Sequence, residues 1–216
     1  MKLVLRLGKI PVEIHPSFFF LALLLGASGG GLAMLLSWCA VVFVSVLLHE
    51  LGHASVGMAF GLAPRIDLHA MGGTTSWTAG AALATWQRVA ISLAGPLAGL
   101  IVGGATYALA RAGALPPGDL VGTVVGQILW VNVGWGVLNL LPMLPLDGGN
   151  VMLHTLHALL NGRGERPARV VSIVVAGLAA IASMIVLQNW WAAVLSLTFA
   201  GANVQALKAL GAAGRG

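Results

Sequence analysis

Two histidines four positions apart, with a glutamate directly after the first, form the sequence HELGH at residues 49–53. On a helix, side chains at positions i and i+4 lie on the same face, so His49 and His53 can bind one metal ion together. Glu50 can then reach a water molecule at that ion and remove its proton. The alternative is three polar residues that satisfy one another inside a helix bundle. The stretch is apolar, and burying an ionisable group in lipid is costly, so the pattern favours a metal-dependent hydrolytic site.

Asp147 is the best candidate for a third ligand, since catalytic zinc takes three protein ligands and keeps one position open for water. It lies in the segment 139–149, where two prolines and two glycines interrupt an apolar run. Irregular backbone at membrane depth is tolerated only where protein buries it or water reaches it. An ordinary turn residue or helix cap is the alternative for Asp147. His154 and His157 are rival ligands, although their place near a helix end favours solvation.

The composition excludes an ordinary soluble domain. Of the 216 residues, 58% are hydrophobic and 8% are charged, whereas soluble domains are about 25% charged. Lipid must therefore cover much of the surface, and we expect a single membrane-embedded domain over residues 1–216. The basic residues lie between apolar runs and form no polar face, so no nucleic-acid partner is expected. The single cysteine, Cys39, cannot form an internal disulfide and leaves the redox compartment open.

The apolar runs predict an all-α polytopic membrane protein with about six transmembrane helices, of which the first is short. About 20 residues of helix cross the roughly 30 Å of hydrocarbon. Residues 1–15 predict a short hairpin on the membrane surface. The segment 61–80 is rich in Gly, Thr and Pro and differs in this from the apolar runs on either side of it. The runs cover residues 16–27, 32–60, 85–110, 120–141, 170–187 and 190–209.

The distribution of Lys and Arg predicts the orientation. Six spans place both termini on the same side, and the positive-inside rule makes the side with more basic residues cytoplasmic. Only Arg111 falls on the opposite side, and His15 and His69 are expected at the interface. The cytoplasmic side then holds Lys2, Arg6, Lys9, Arg65, Arg88, Arg163, Arg166, Arg169, Lys208 and Arg215.

Several segments together resemble the site-2 protease family of intramembrane zinc metalloproteases, in a minimal form without a PDZ or CBS domain. They are GKIPV with HPS in residues 8–17, the HELGH helix, AGPLA at residues 94–98, and NLLP through LDGG in residues 139–149. The paired signature of the HELGH helix and the Pro-Leu-Asp-Gly stretch is highly specific. The match covers most of the chain.

The resemblance implies one Zn²⁺ ion held by His49, His53 and Asp147, with Glu50 as the catalytic acid and base. It also implies that Asn139 stabilises the oxyanion. Two glycines, Gly72 and Gly73, would lie in a membrane-reentrant β-loop near residues 62–78 that presents the substrate, where an extended peptide could pair with a strand.

The implied function is hydrolysis of a peptide bond within or near a transmembrane segment of a membrane protein. The resemblance suggests a single-span substrate, such as an anti-sigma factor or a signal-peptide remnant, in the cell inner membrane. The alternative is a non-enzymatic membrane metal transporter or haem-binding protein. Transporters usually spread polar residues along a path across the bilayer, whereas here they cluster at one depth. Haem needs ligands on facing helices, which HELGH does not supply.

Overall fold

The computed structural model describes residues 2–26, 31–80 and 82–213, and most of these are helical. A π-helical turn, Trp130–Gly134, joins the fourth and fifth helices. The helices are α1 (Pro16–Gly26), α2 (Gly31–Ala59), α3 (Thr85–Arg111), α4 (Asp119–Leu129), α5 (Trp135–Asn139), α6 (Asp147–Leu159), α7 (Glu165–Ile185) and α8 (Trp190–Ala213).

Five helical stretches are long and apolar enough to cross a membrane: α2, α3, α7, α8 and the continuous stretch Asp119–Asn139. The predicted polytopic membrane protein is thereby confirmed. The expected first span corresponds to α1, which has 11 described residues. A helix of this length covers about 16 Å, roughly half of the hydrocarbon thickness. The count of six therefore stays a prediction, and residue 27, the expected end of that span, lies outside the described residues.

Four strands form one small sheet in the order β1 (Leu3–Leu7), β2 (Ile10–Ile14), β3 (Ala63–His69) and β4 (Gly72–Ala79). The predicted N-terminal hairpin is β1 and β2, which turn at Gly8 with a φ of 61°, a value that glycine tolerates. The predicted β-loop is β3 and β4, which pair antiparallel. The structure adds a parallel pairing of β2 with β3 that joins the two hairpins.

The sheet packs on the helices through alternating residues of its two central strands. Val12, Ile66 and Leu68 are almost fully buried and form a core with α1 and α2. Burying each such side chain stabilises the fold by about 1.5–3 kcal/mol. This core holds β3, and with it β4, beside the part of α2 that carries HELGH.

The chain divides into two compact units, one of Met1–Leu83 with Ala94–Leu138 and the other of Ala84–Leu93 with Asn139–Gly216. The first unit contains the sheet, α1, α2, most of α3, α4 and the π-helical turn. The second contains α6, α7 and α8, with α7 and α8 packed along each other.

Candidate active site and metal centre

The two histidines of α2 face the same side and bring their ring nitrogens together. The Nε2 atoms of His49 and His53 lie 3.2 Å apart, and the ring planes are inclined by 80°. Two nitrogens that bind one tetrahedral zinc ion at about 2.0–2.1 Å lie about 3.3 Å apart. The geometry expected from the i, i+4 spacing is present, and the pair suits two positions of a tetrahedral metal.

Helix α3 approaches the histidine pair at a glycine. A Cβ atom on Gly95 would lie 2.7 Å from His49 Nε2 and closer still to His53 Nε2. The two helices meet tightly here, since a Cβ on Gly52 would lie 2.6 Å from the main-chain oxygen of Ala94. A methyl group at residue 95 would thus fill the space in front of both histidine nitrogens, whereas the glycine leaves room for an ion there. Gly95 belongs to the AGPLA segment singled out from the sequence. The sequence did not predict that this glycine would lie against the two histidines.

The side chain of Glu50 points toward the sheet. It is buried, with 5% of its surface exposed. Its Oε2 atom accepts a hydrogen bond from Thr75 Oγ1 at 2.7 Å. A Cβ on Gly73 would lie 2.5 Å from Glu50 Oε1, so the glycine leaves room for the carboxylate. The sequence pattern did not predict the contact with Thr75, because the two residues are far apart in the chain.

One face of strand β4 packs against α2. Successive residues of a strand point to opposite sides, and on this strand Gly73, Thr75 and Trp77 point toward α2. The ring of Trp77 packs where a Cβ on Gly57 would otherwise stand. In the described sheet β4 is an end strand, and its outer edge has no partner strand. Such an edge can pair with an extended peptide.

A buried polar pair lies one helical turn before His49. Asn132, in the π-helical turn, donates a hydrogen bond from Nδ2 to Ser45 Oγ at 2.8 Å. Both residues are buried. Single π-helical turns are common at functional sites, and this one turns Asn132 onto the face of α2 that also carries the histidines. The sequence reading did not single out either residue.

Asp147 is the first residue of α6, in the second unit, and is partly buried. The loop before it is held by α7 and α8. Ser172 Oγ accepts from the amide of Leu144 at 3.0 Å, and Asn203 Nδ2 donates to the oxygen of Leu144 at 2.7 Å. Gly149 lets the chain fold back, because a Cβ there would lie 2.5 Å from the Leu144 nitrogen. These contacts fix the loop that precedes Asp147 within its unit.

The rival ligands lie further along α6. His154 is partly buried and His157 is exposed. Burial lowers the pKa of His154, and the nearby charges of Arg88 and His157 lower it further. A neighbouring arginine also disfavours a metal cation, by charge repulsion. Asn139 is the last residue of α5 and is partly buried.

A second group of potential ligands lies on the sheet, where Glu13, His15 and Asp67 offer atoms within 4.8 Å of one another. Arg65 Nη2 contacts Glu13 Oε1 at 2.7 Å, and Lys2 also pairs with Glu13. The hydrogen bond from Lys2 lowers the pKa of the Glu13 carboxyl, helped by the charge of Arg65 and opposed by burial. The carboxylate charge is thus neutralised by cations of the chain, and the group is an ion-pair network. His69 bonds to Thr74 on the same sheet.

The fold and the site define a polytopic membrane protein with a HELGH helix whose histidines could hold a metal ion, and comparisons with known proteins agree. The model of peptidase family M50 matches residues 118–187. A protein from Synechocystis sp. that carries a zinc metalloprotease name is 31% identical over 166 residues, which are 68% of this chain and 43% of that protein. A zinc metalloprotease of Methanocaldococcus jannaschii is 29% identical over 174 residues, 70% of this chain and 45% of that protein.

The solved structure of a site-2 protease from Methanocaldococcus jannaschii has the same fold. It superimposes with a TM-score of 0.63 and 24% sequence identity, covering 96% of this chain and 95% of that one. The chain belongs to peptidase family M50. It spans less than half the length of the curated relatives that it matches.

Proposed function

We propose that the protein is an intramembrane zinc metalloprotease that hydrolyses a peptide bond within or near a transmembrane segment of a membrane-protein substrate. The observation that carries the proposal is the arrangement on α2. The nitrogens of His49 and His53 suit one metal, and the buried carboxylate of Glu50 lies beside the free-edged strand β4.

Zinc is the cofactor that this proposal assigns, as one ion. Two neutral imidazoles and one carboxylate are a donor set of catalytic zinc sites, and they leave a position for water. His49 and His53 provide the imidazoles, and the resemblance of the segment 139–149 to the family supports Asp147 as the carboxylate. When bound, zinc polarises the peptide carbonyl and lowers the pKa of water to about 7.

The chain's own residues then move the protons. Glu50 accepts a proton from the attacking water and delivers it to the leaving amine, so that one water and one peptide give a carboxylic acid and an amine. Asn139 donates a hydrogen bond from its amide to the developing oxyanion. Such a contact is worth about 3–4 kcal/mol in comparable sites.

Strand β4 presents the substrate. A transmembrane helix must unwind before it can be cut, and each unsatisfied main-chain group in lipid costs several kcal/mol. Pairing with the outer edge of β4 would satisfy these groups. Gly72 and Gly73, at the start of β4, allow another main chain to approach closely. The contact of Thr75 with Glu50 supports this role, since a peptide on β4 would lie near the base.

In this proposal residues 1–216 are one metalloprotease domain. The protein lies in the cell inner membrane, with both termini and the segments 61–84 and 161–169 on the cytoplasmic side, as the one-sided distribution of Lys and Arg indicates. The substrate is a single-span membrane protein, for which an anti-sigma factor and a signal-peptide remnant are the two candidates.

A comparison of the wild type with the Glu50→Gln variant, in zinc binding and in substrate cleavage, tests the proposal. Purified wild type and variant are reconstituted in liposomes with a single-span substrate. The variant should bind zinc like the wild type but lose cleavage, because the ligands remain and the base is lost. Turnover near the wild-type rate in the variant would contradict the assignment of the base. Zinc uptake into liposomes by a wild type that cuts no substrate would favour the transporter alternative.

A further inference from the structure

Thr75 connects strand β4 to Glu50 through a contact that catalysis by the zinc site does not by itself require. We infer that Thr75 is a positioning residue that holds the carboxylate of Glu50 in its reactive place and links it to the strand that receives the substrate. This inference rests on the proposed function, in which Glu50 is the base.

The hydroxyl of Thr75 lies within hydrogen-bond distance of two oxygens of Glu50. Thr75 Oγ1 lies 2.7 Å from Glu50 Oε2 and 3.1 Å from the main-chain oxygen of Glu50. A hydroxyl that donates to an ionised carboxylate makes one of the stronger hydrogen bonds of proteins. Threonine is branched at Cβ and has few side-chain conformations, so its hydroxyl keeps its direction.

The donor stands on a rigid support. Thr75 lies opposite Ile66 in the β3–β4 pairing. Ile66 is fully buried in the core between the sheet and the helices. The hydroxyl is therefore fixed to the core through the sheet, and it can restrain a glutamate whose own side chain has three rotatable bonds.

The restraint leaves one carboxylate oxygen for chemistry. Oε2 accepts from Thr75, whereas Oε1 lies against the space left by Gly73. A glutamate without the hydroxyl would still be buried but would sample other conformations. The proton transfers depend on geometry within hydrogen-bond reach, so the loss should slow the chemical step and leave substrate binding unchanged.

The other hydroxyls of β4 have local partners. Thr78 bonds to the main-chain oxygen of Ala63, and Ser76 bonds to that of Arg65, both within the sheet. Thr75 instead reaches across to α2. An exchange of threonine for valine keeps a branched side chain of similar size and removes the hydroxyl, so it removes both contacts of Thr75 with Glu50.

The experiment compares Thr75→Val, Thr75→Ser and Thr106→Val in the zinc-loaded full chain. Thr106 is a matched control, because it is also partly buried and its hydroxyl bonds to the main-chain oxygen of Val102 in its own helix. The probe is a single-span peptide substrate in liposomes, and kcat, KM, zinc content and melting temperature are measured.

Thr75→Val should lower kcat by about 10- to 100-fold, the usual loss when a group that orients a metal-site residue is removed. Its KM, zinc content and melting temperature should match the wild type. Thr75→Ser should restore most of kcat, because it restores the hydroxyl, and Thr106→Val should behave like the wild type.

A wild-type kcat in Thr75→Val overturns the inference, as does an equal loss in Thr75→Ser. Loss of zinc or of thermal stability in Thr75→Val, but not in Thr106→Val, would assign Thr75 a structural role and also overturn it. Failure of the proposed function is distinguishable. In that case Glu50→Gln keeps its activity, whereas a failure of the inference alone leaves Glu50→Gln inactive and Thr75→Val active.

Discussion

At the scale of single residues, the candidate site depends on two glycines, which leave space, as well as on the histidines and the glutamate. Gly95 leaves space in front of the histidine nitrogens, and Gly73 leaves space for the carboxylate of Glu50. A proline or alanine at Gly73 would therefore disturb the base as well as the strand, and cannot test substrate pairing alone. Gly95 gives a cleaner test, since its contacts are with the ligands.

Gly95→Ala should lower zinc affinity by about 10- to 100-fold and reduce cleavage in parallel, because the new methyl group displaces the ligand nitrogens. The matched control is Gly104→Ala, in the same helix, where a Cβ would meet nothing within 4 Å. Zinc content after dialysis against a competing chelator is the measurement. Equal zinc retention by the two variants would show that the space at Gly95 has no part in metal binding.

At the scale of elements, α2 and β4 act together in the proposed mechanism. The helix carries His49, His53 and Glu50, and one face of the strand contacts Glu50, while its outer edge has no partner strand in the described part of the chain. The HELGH face could be predicted from the sequence because residues four apart on a helix are neighbours. The pairing of Val12 with Ile66 could not, since a parallel contact between distant segments leaves no local pattern.

Strand pairing of the substrate makes a prediction of its own. In a paired strand, neighbouring residues differ in whether their N–H groups face the partner strand. N-methylation of a peptide substrate at successive positions near the cut should therefore raise KM at every second position. A set of singly methylated peptides measures this, with zinc content as the control. A uniform effect, or none, would argue against pairing with β4.

At the scale of the whole molecule, five helical stretches are long and apolar enough to cross a membrane. The amount of apolar sequence predicted this class of protein. The sequence also predicted that the first span is short, and the described part of α1 has 11 residues. It could not show that Thr75 meets Glu50, because the fold of the sheet onto α2 creates that contact. Asp147 as the third ligand remains a prediction, based on the segment 139–149.

The orientation can be measured by cysteine labelling in cells that carry the Cys39→Ser background. Glu165→Cys, at the start of α7, should resist a membrane-impermeant reagent added from outside, because the proposed orientation, based on the basic residues, places it in the cytoplasm. Ala114→Cys, between α3 and α4, should be labelled and serves as the positive control. Strong labelling of the first variant and none of the second would reverse the orientation.

The measurement that tests the central claim most directly is zinc titration of the metal-free enzyme. Wild-type protein is stripped with a chelator, and cleavage of a single-span substrate is followed as zinc is added back. The account predicts that activity rises from zero and saturates at one zinc ion per chain. Full activity without zinc, or no activity when one ion is bound to folded protein, would contradict it.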